Sequence, residues 1–379
     1  MKIILPFFRL TFVQKPYPVK KSCYIVLFMA PLLLFAQKRV DLDRFNFQVQ
    51  FRSLPNIRLD SSYHTYTVAV TNSKLMSPFI QETDPANTVI LEGWRKLSGK
   101  GHINIHVKLE DLLPESVSVK ERIENITNKG GTVTGTNTLY YQQVIYTFAA
   151  TAQITDHKGA HVMDEVLADR YYKQVYNSPE FGNRALAAGY FLLNSPFVTK
   201  QLYQSCVNRA MHNLSDRIAD NFGFAEVNVD DFMWVIGNKK HPEYDEYRKN
   251  FREMNEVLFS MHANKSIEGA REKLKPVIDY FEKIKTEYSG KKKHDRKIRY
   301  ASYFNLAVLY YYLDDPELMM KEANGLLLND FHTAAGKSFQ ETAHRLKNQF
   351  QRTNIYTRHF SIDTNSFKGP DENSETVAK

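Results

Sequence analysis

The stretch FGNRALAAGYFLLNSPFVTKQLYQSCVNRAMHNLSDRIADNFG, residues 181–223, is where the chain changes its rhythm. Before it, apolar and polar residues alternate. From Phe181 the apolar residues recur every three or four positions, the spacing of a helix with a buried face. Asn194, Ser195 and Pro196 offer a break and a cap inside it. The switch divides the chain into a β-rich first part and a helical second part, an α+β architecture.

In the first part FNFQVQF puts Phe45, Phe47, Val49 and Phe51 on one side and polar residues on the other, the pattern of a half-buried strand. The same alternation predicts strands at 63–71, 88–97, 101–109, 116–126, 138–155 and 160–168, with short helices near 73–83 and 110–114. The separators SLPN, SGKG, NKGGTVTG and DHKG are turn formers. Strands joined by short turns pair antiparallel, because a parallel pair needs a crossover of about a dozen residues. EVNVDDFMWVIG (226–237) reads as one more strand, and helices follow to about Phe350. The expected organisation is an antiparallel β-rich domain over 37–170, a mixed connecting region over 171–239 and an all-helical hairpin domain over 240–355. A tail over 356–379 has few apolar residues and is expected to be disordered.

Residues 1–36 contain Lys2, Arg9, Lys15, Lys20 and Lys21 and no acidic residue, and they end in the apolar run YIVLFMAPLLLFA, Tyr24–Ala36. A basic segment followed by an apolar run shorter than the ~20 residues of a membrane span has the layout of a signal peptide. The ending LLLFAQ resembles export signals common in Bacteroidota, which implies cleavage before Gln37 and a periplasmic, outer-membrane or extracellular destination. An uncleaved anchor is the rival reading. Without the five basic residues of this leader the chain keeps 45 Lys+Arg against 42 Asp+Glu, so the net charge falls from +8 to +3. Nucleic acid is therefore not indicated as a partner. Cys206 is then the one cysteine left, which leaves no internal disulfide. Between apolar helix positions it reads as a buried small hydrophobe, not a nucleophile.

In YFNLAVLYYYLDDPELMMKEA (303–323), Tyr303, Leu306, Ala307 and Tyr310 fall at the spacing aromatic-x-x-Leu-small-x-x-Tyr. This resembles the first helix of a tetratricopeptide repeat, with Asp315 as N-cap and Pro316 opening the second helix. Met319 stands where that family prefers a small residue. An earlier copy runs through Met254, Val257, Leu258 and Met261 to Ala270 and Leu274, with Ala270 at the small position of its second helix. The resemblance covers about 100 of the 379 residues and implies an interaction scaffold, not an enzyme. The layout of signal, β-rich domain and short helical array is also similar to that of envelope proteins of Bacteroidota.

Several residues invite chemistry. His102, Asn104 and His106 share one strand face and would start a metal site, but zinc needs three or four ligands and no third is evident, so no metal is assigned. Asp230 and Asp231, after Glu226, would be the paired acids of a glycan hydrolase; paired acids also cap helices. Lys291, Lys292, Lys293, Arg296, Lys297 and Arg299 form a basic stretch that reads as a solvated loop, with an anionic membrane surface as its alternative counterpart. GxSxG, HExxH, CxxC and GxxxxGK[ST] motifs are absent.

The expectation is an exported, non-enzymatic scaffold of the cell envelope with no cofactor. Its repeat core would be Tyr303, Leu306, Ala307, Tyr310 and Ala270, and its binding residues for a protein partner Phe304, Tyr311 and Tyr312. The alternatives are an envelope glycan hydrolase using Asp230 and Asp231, and a carbohydrate- or peptidoglycan-binding sheet around Trp94, Tyr140 and Tyr146.

Overall fold

The computed structural model describes residues 40–81 and 83–372; the signal segment, Cys23 and residues 373–379 lie outside them. In chain order the elements are β1 (Leu42–Arg52), β2 (Thr65–Asn72), β3 (Arg95–Lys96), β4 (Ile103–Leu109), β5 (Leu113–Thr127), β6 (Val133–Thr147), β7 (Ala150–Asp156), β8 (His161–Ala168) and β9 (Gln174–Asn177), then α1 (Arg184–Phe222), β10 (Glu226–Ile236), α2 (Tyr244–Ser260), α3 (Glu268–Glu287), α4 (Lys293–Tyr312), α5 (Pro316–Asn329) and α6 (Thr333–Thr353). The fold class is α+β, with sheets before helices. The described residues form two compact units that are not consecutive in sequence: one takes residues 40–51 together with Val227–Lys347, the other Arg52–Glu226 with residues 348–372.

The second unit holds most of the sheet. Its five-stranded sheet has the order β3-β2-β4-β7-β8, and β5-β6-β9 form a separate three-stranded sheet. Antiparallel pairing prevails, but β2 runs parallel to both β3 and β4. The parallel pair is possible because residues 73–102 supply a long crossover. Alternation over 88–97 therefore does not make a full strand. A short 3-10 turn at Pro85–Thr88, capped by the Asp84 carboxylate, leads into a turn in which Gly93 adopts φ 82°, and only Arg95–Lys96 pairs. Val89 and Leu91 are buried one at a time as anchors of this loop. A 3-10 turn at Ser77–Phe79 stands in place of the helix expected near 73–83, and no helix forms at 110–114. The run 138–155 is divided at Phe148, where the chain leaves one sheet for the other.

The inward face of β4, namely Ile103, Ile105, Val107 and Leu109, shares its core with α1 residues from Val198 to Phe222. Helix α1 runs unbroken through Pro196. The carbonyl of Leu192, which a residue with an N–H at 196 would have bonded, receives the Ser195 hydroxyl at 3.5 Å, and Asn194 Nδ2 donates to Tyr190 O at 2.9 Å. The two polar residues that signal a break thus serve the backbone around it. The tail is ordered to residue 372, against expectation. Among its described residues Phe360 packs on Phe224, Phe367 stacks on His64, and Arg358 and His359 are buried.

In the other unit β1 and β10 run antiparallel, since Gly237 N–H donates to Asp41 O and Gln48 faces Asp230 across the pair. Phe47, Val49 and Phe51 point into the core shared with α2 to α5, as the alternation requires. The DDP turn forms as read, with Asp315 accepting from Leu318 N–H at 3.0 Å. Leu306, Ala307 and Tyr310 are buried and Ala270 is partly so. Met319 is also buried, and the close approach of α4 and α5 comes from elsewhere: a side-chain carbon at Gly325 would overlap the Tyr303 ring. Much of the basic stretch is helix, and Arg299 donates to the Tyr288 and Gly290 carbonyls instead of facing solvent.

Glu322 on α5 is fully buried and paired with Lys285 of α3 at 2.6 Å; Lys285 also lies 4.7 Å from the Tyr303 ring centroid. Burial raises the Glu322 carboxyl above its usual range, opposed by the ammonium of Lys285. Lys285→Met leaves that buried carboxylate with only the exposed Lys321, 3.5 Å from its other oxygen, and should cost about 3 kcal/mol of stability in urea unfolding. Lys285→Met with Glu322→Met should recover most of it. A single-variant cost below about 1 kcal/mol would show that the pair contributes little.

Candidate functional site

The turn between β1 and β2 builds one wall of a cavity of about 640 Å³ in the sheet-bearing unit. That volume suits a small ligand, for which pockets of roughly 300–1,000 Å³ are usual. Asp60 shapes the turn: its carboxylate accepts from the Ser62 backbone N–H at 3.0 Å and the Ser62 hydroxyl at 2.8 Å, which holds it below the usual carboxylate range. Tyr63 and His64 then project into the lining, opposite Trp94, Phe222 and Phe224. Trp94 is fixed by its indole N–H, which donates to Phe222 O at 2.8 Å. Gly93 makes the preceding turn because Phe224 leaves no room for a side chain there. Thr353, Asn354 and Ile355 close the lining, and the chain beside them is tied to the β1–β2 loop by Gln349 to Leu54 O at 2.9 Å and Arg352 to Asn56 O at 2.8 Å.

The polar groups are at the rim. Arg58 is exposed and makes no hydrogen bond or ion pair among the described residues. Burial lowers the pKa of His64, whose ring stacks on Phe367 at 4.4 Å; no acceptor or donor engages its nitrogens among the described residues. The cavity therefore offers aromatic faces, a free guanidinium, an oriented carboxylate and an amide. Those groups bind well. The one imidazole of the lining, His64, has no carboxylate orienting it as a base among the described residues.

Behind the wall lies one of the histidines singled out from sequence. Tyr63 stacks on His102 at 5.2 Å and meets His157 edge-on at 5.2 Å. His102 is buried, its N–H donates to Thr65 Oγ1 at 3.1 Å, and the same hydroxyl lies 2.7 Å from its Nδ1. Asn104 is also buried, accepting from Gly101 N–H, whereas His106 is exposed two residues further along. The shared face is thus closed at one end and open at the other. No group of three or more His, Cys, Asp or Glu among the described residues is arranged to hold a metal ion.

The other candidates are located as follows. Asp230 and Asp231 are neither helix caps nor a pair, since successive residues of β10 face opposite sides. Asp230 accepts from Gln48 Nε2 at 2.8 Å; Asp231 accepts from the Tyr312 hydroxyl at 2.8 Å, and burial raises its carboxyl. Tyr312 is buried, and Tyr311 packs against Phe51. Phe304 lies among Phe232, Trp234, Tyr300 and Phe339. All three are engaged in the helical core. Trp94 and Tyr146 are buried and Tyr140 is half-buried, so they form no exposed aromatic row. Cys206 is buried and free, and burial raises its thiol. The signal for the cavity was present in SLPNIRLDSSYH (53–64): a polar turn studded with large apolar residues that do not alternate. Comparison with protein-family models and with curated proteins finds no match to this chain.

Burial, His157 and His64 hold the His102 imidazole below its ordinary value of 6.5. The unfolded chain therefore binds more protons than the folded one in that window, so this contribution to stability is full above 6.5 and is lost as pH falls through the folded value. Thermal unfolding midpoints should drop between pH 7 and 5, less steeply in His102→Gln. Thr65→Val should cost about 1–3 kcal/mol by leaving the buried His102 N–H unpaired. Equal pH slopes in both proteins would contradict the assignment to His102.

Proposed function

We propose that this chain is a non-enzymatic binding protein of the bacterial envelope, reached through its N-terminal export signal. Its sheet-bearing unit takes a ligand with an apolar face and a polar edge. A saccharide is the simplest chemistry of that kind, stacking on Tyr63 and Phe224 and donating to or accepting from Arg58, Asp60 and Asn354. The observation that carries this reading is the lining itself: aromatic walls and a polar rim whose one imidazole, His64, has no carboxylate orienting it as a base among the described residues. The separation of Asp230 from Asp231 on opposite faces of one strand removes the main support for a glycan hydrolase.

The helical unit supports a second role, as a scaffold for a protein partner. Helices α2 to α5 pack each against the next in chain order, the arrangement expected of stacked hairpins. Phe304, Tyr311 and Tyr312 contribute to the core of that scaffold, so a partner would meet other residues of its surface.

Titration of the purified chain with a panel of cell-wall saccharides, followed by calorimetry and by Trp94 emission, tests the ligand reading. Saturable binding is expected for at least one member, with Arg58→Ala, at unchanged melting temperature, and Tyr63→Ala each weakening it at least tenfold, about 1.4 kcal/mol. No binding at millimolar saccharide, or release of product from any member, would overturn the proposal.

A further inference from the structure

The hairpin of β5 and β6 outruns the sheet it belongs to. Strand β9 pairs only with residues 143–146, and one further bridge joins Phe181 to Tyr140, so beyond that point the ladder has two strands. Every residue from 121 to 134 is exposed, Ile123, Ile126 and Val133 at 63%, 52% and 51% among them. A ribbon of two strands is marginal in water, and a further strand at its edge would stabilise it.

The outer edge of β5 is open to such a strand, since in the order β5-β6-β9 it has no neighbour on that side among the described residues. Tyr140 fixes the phase of its free backbone groups. That residue exchanges both backbone hydrogen bonds with Phe181, on the side away from β5. Glu121, opposite Tyr140 on β5, therefore turns its own N–H and C=O outward, and Ile123 and Asn125 follow at the same phase.

The side chains select what can pair there. A second copy adding its β5 antiparallel about a two-fold axis sets the central residue against itself. Centred on Lys120, Glu121, Arg122 or Glu124, the pair would oppose like charges. Centred on Ile123, it lays isoleucine on isoleucine and each Arg122 across from Glu124 of the second copy, while each Lys120 stem covers an Ile126. Charges that guard an edge strand against indiscriminate pairing thus refuse four registers of this stretch and favour one. Glu180 holds Nε and Nη2 of Arg122 at 2.7 Å, which leaves Nη1 without a hydrogen bond among the described residues. A strand of another protein would meet the same backbone groups, but a second copy answers Arg122 with Glu124 and Glu124 with Arg122 by symmetry alone.

We infer that β5 is a homodimerisation edge, through which two copies join antiparallel about Ile123 into one sheet of order β6-β5-β5-β6. This stands independently of the saccharide reading of the cavity.

Sedimentation velocity of the full chain over a range of concentrations reads the association directly. A reversible dimer is expected. Ile123→Lys, which sets two ammonium groups at the centre, should weaken it at least about tenfold with the fold intact by circular dichroism. The charge exchanges are made in a Glu180→Gln background, which itself should dimerise, so that loss of the Glu180 ion pair is common to all of them. Arg122→Glu alone and Glu124→Arg alone should each weaken the dimer, and the two together should restore it, because the exchange keeps every opposite-charge pair. A chain that stays monomeric at every concentration would overturn the inference, whether or not an added peptide pairs with the edge. So would a dimer indifferent to Ile123→Lys, or one weakened by the single exchanges that the double exchange fails to restore.

Discussion

The side-chain amide of Asn305 is the contact on which the helical unit depends. Its Oδ1 accepts from the Trp234 backbone N–H at 2.9 Å and its Nδ2 donates to the Trp234 carbonyl at 2.8 Å. A side chain of α4 therefore pairs with the edge of β10 as a neighbouring strand would. The strands need such a partner, because an isolated two-stranded pair is marginal in water, and β1 and β10 form a sheet of two. Asn305 is itself buried and also reaches the Tyr247 hydroxyl at 3.3 Å, so helix α2 is drawn into the same arrangement. Around it Phe47 and Phe51 of β1 pack on Tyr312 of α4. One polar residue in an apolar helix thus fixes how strands from distant parts of the sequence meet the hairpins between them in space.

Much of this could be read from the chain. The alternation of Phe45 to Phe51 marks β1 and its buried face, and the 3.6-residue period marks α1 and the helices after residue 240. What alternation does not carry is pairing. Nothing in FNFQVQF says that it belongs with EVNVDDFMWVI, some 180 residues later, and so the chain divides into units that linear domain boundaries do not reproduce. Pro196 misleads for a different reason: local propensity favours a break, yet the helix continues through it, with Ala187 and Val198 buried on either side. The tail misleads because composition counts apolar residues without knowing that Phe360 and Phe367 each have a ring to rest on.

The site was less legible than the fold. Residue types with conspicuous chemistry, the acid pair and the spaced histidines, turn out to be separated by strand geometry or held by local hydrogen bonds. The cavity instead draws on residues from four stretches, the turn at 55–64, Trp94, the end of α1 with Phe224, and the end of α6 with the residues after it, and no spacing rule links them. His102 matters there indirectly, as the buried support on which Tyr63 stacks. Asn305 was hidden for a similar reason: an asparagine amid leucine and tyrosine looks like an interruption of the helix pattern, and only the pairing of β10 reveals its use.

Hydrogen exchange of wild type against Asn305→Leu tests the central dependence most directly. Loss of the clamp should raise exchange in β10, β1 and α4 together, while β4 and β7, whose core is built with α1, keep their protection. Unchanged protection of the β10 amides in the leucine variant would contradict it, and would mean that side-chain packing alone holds the strand pair against the helices.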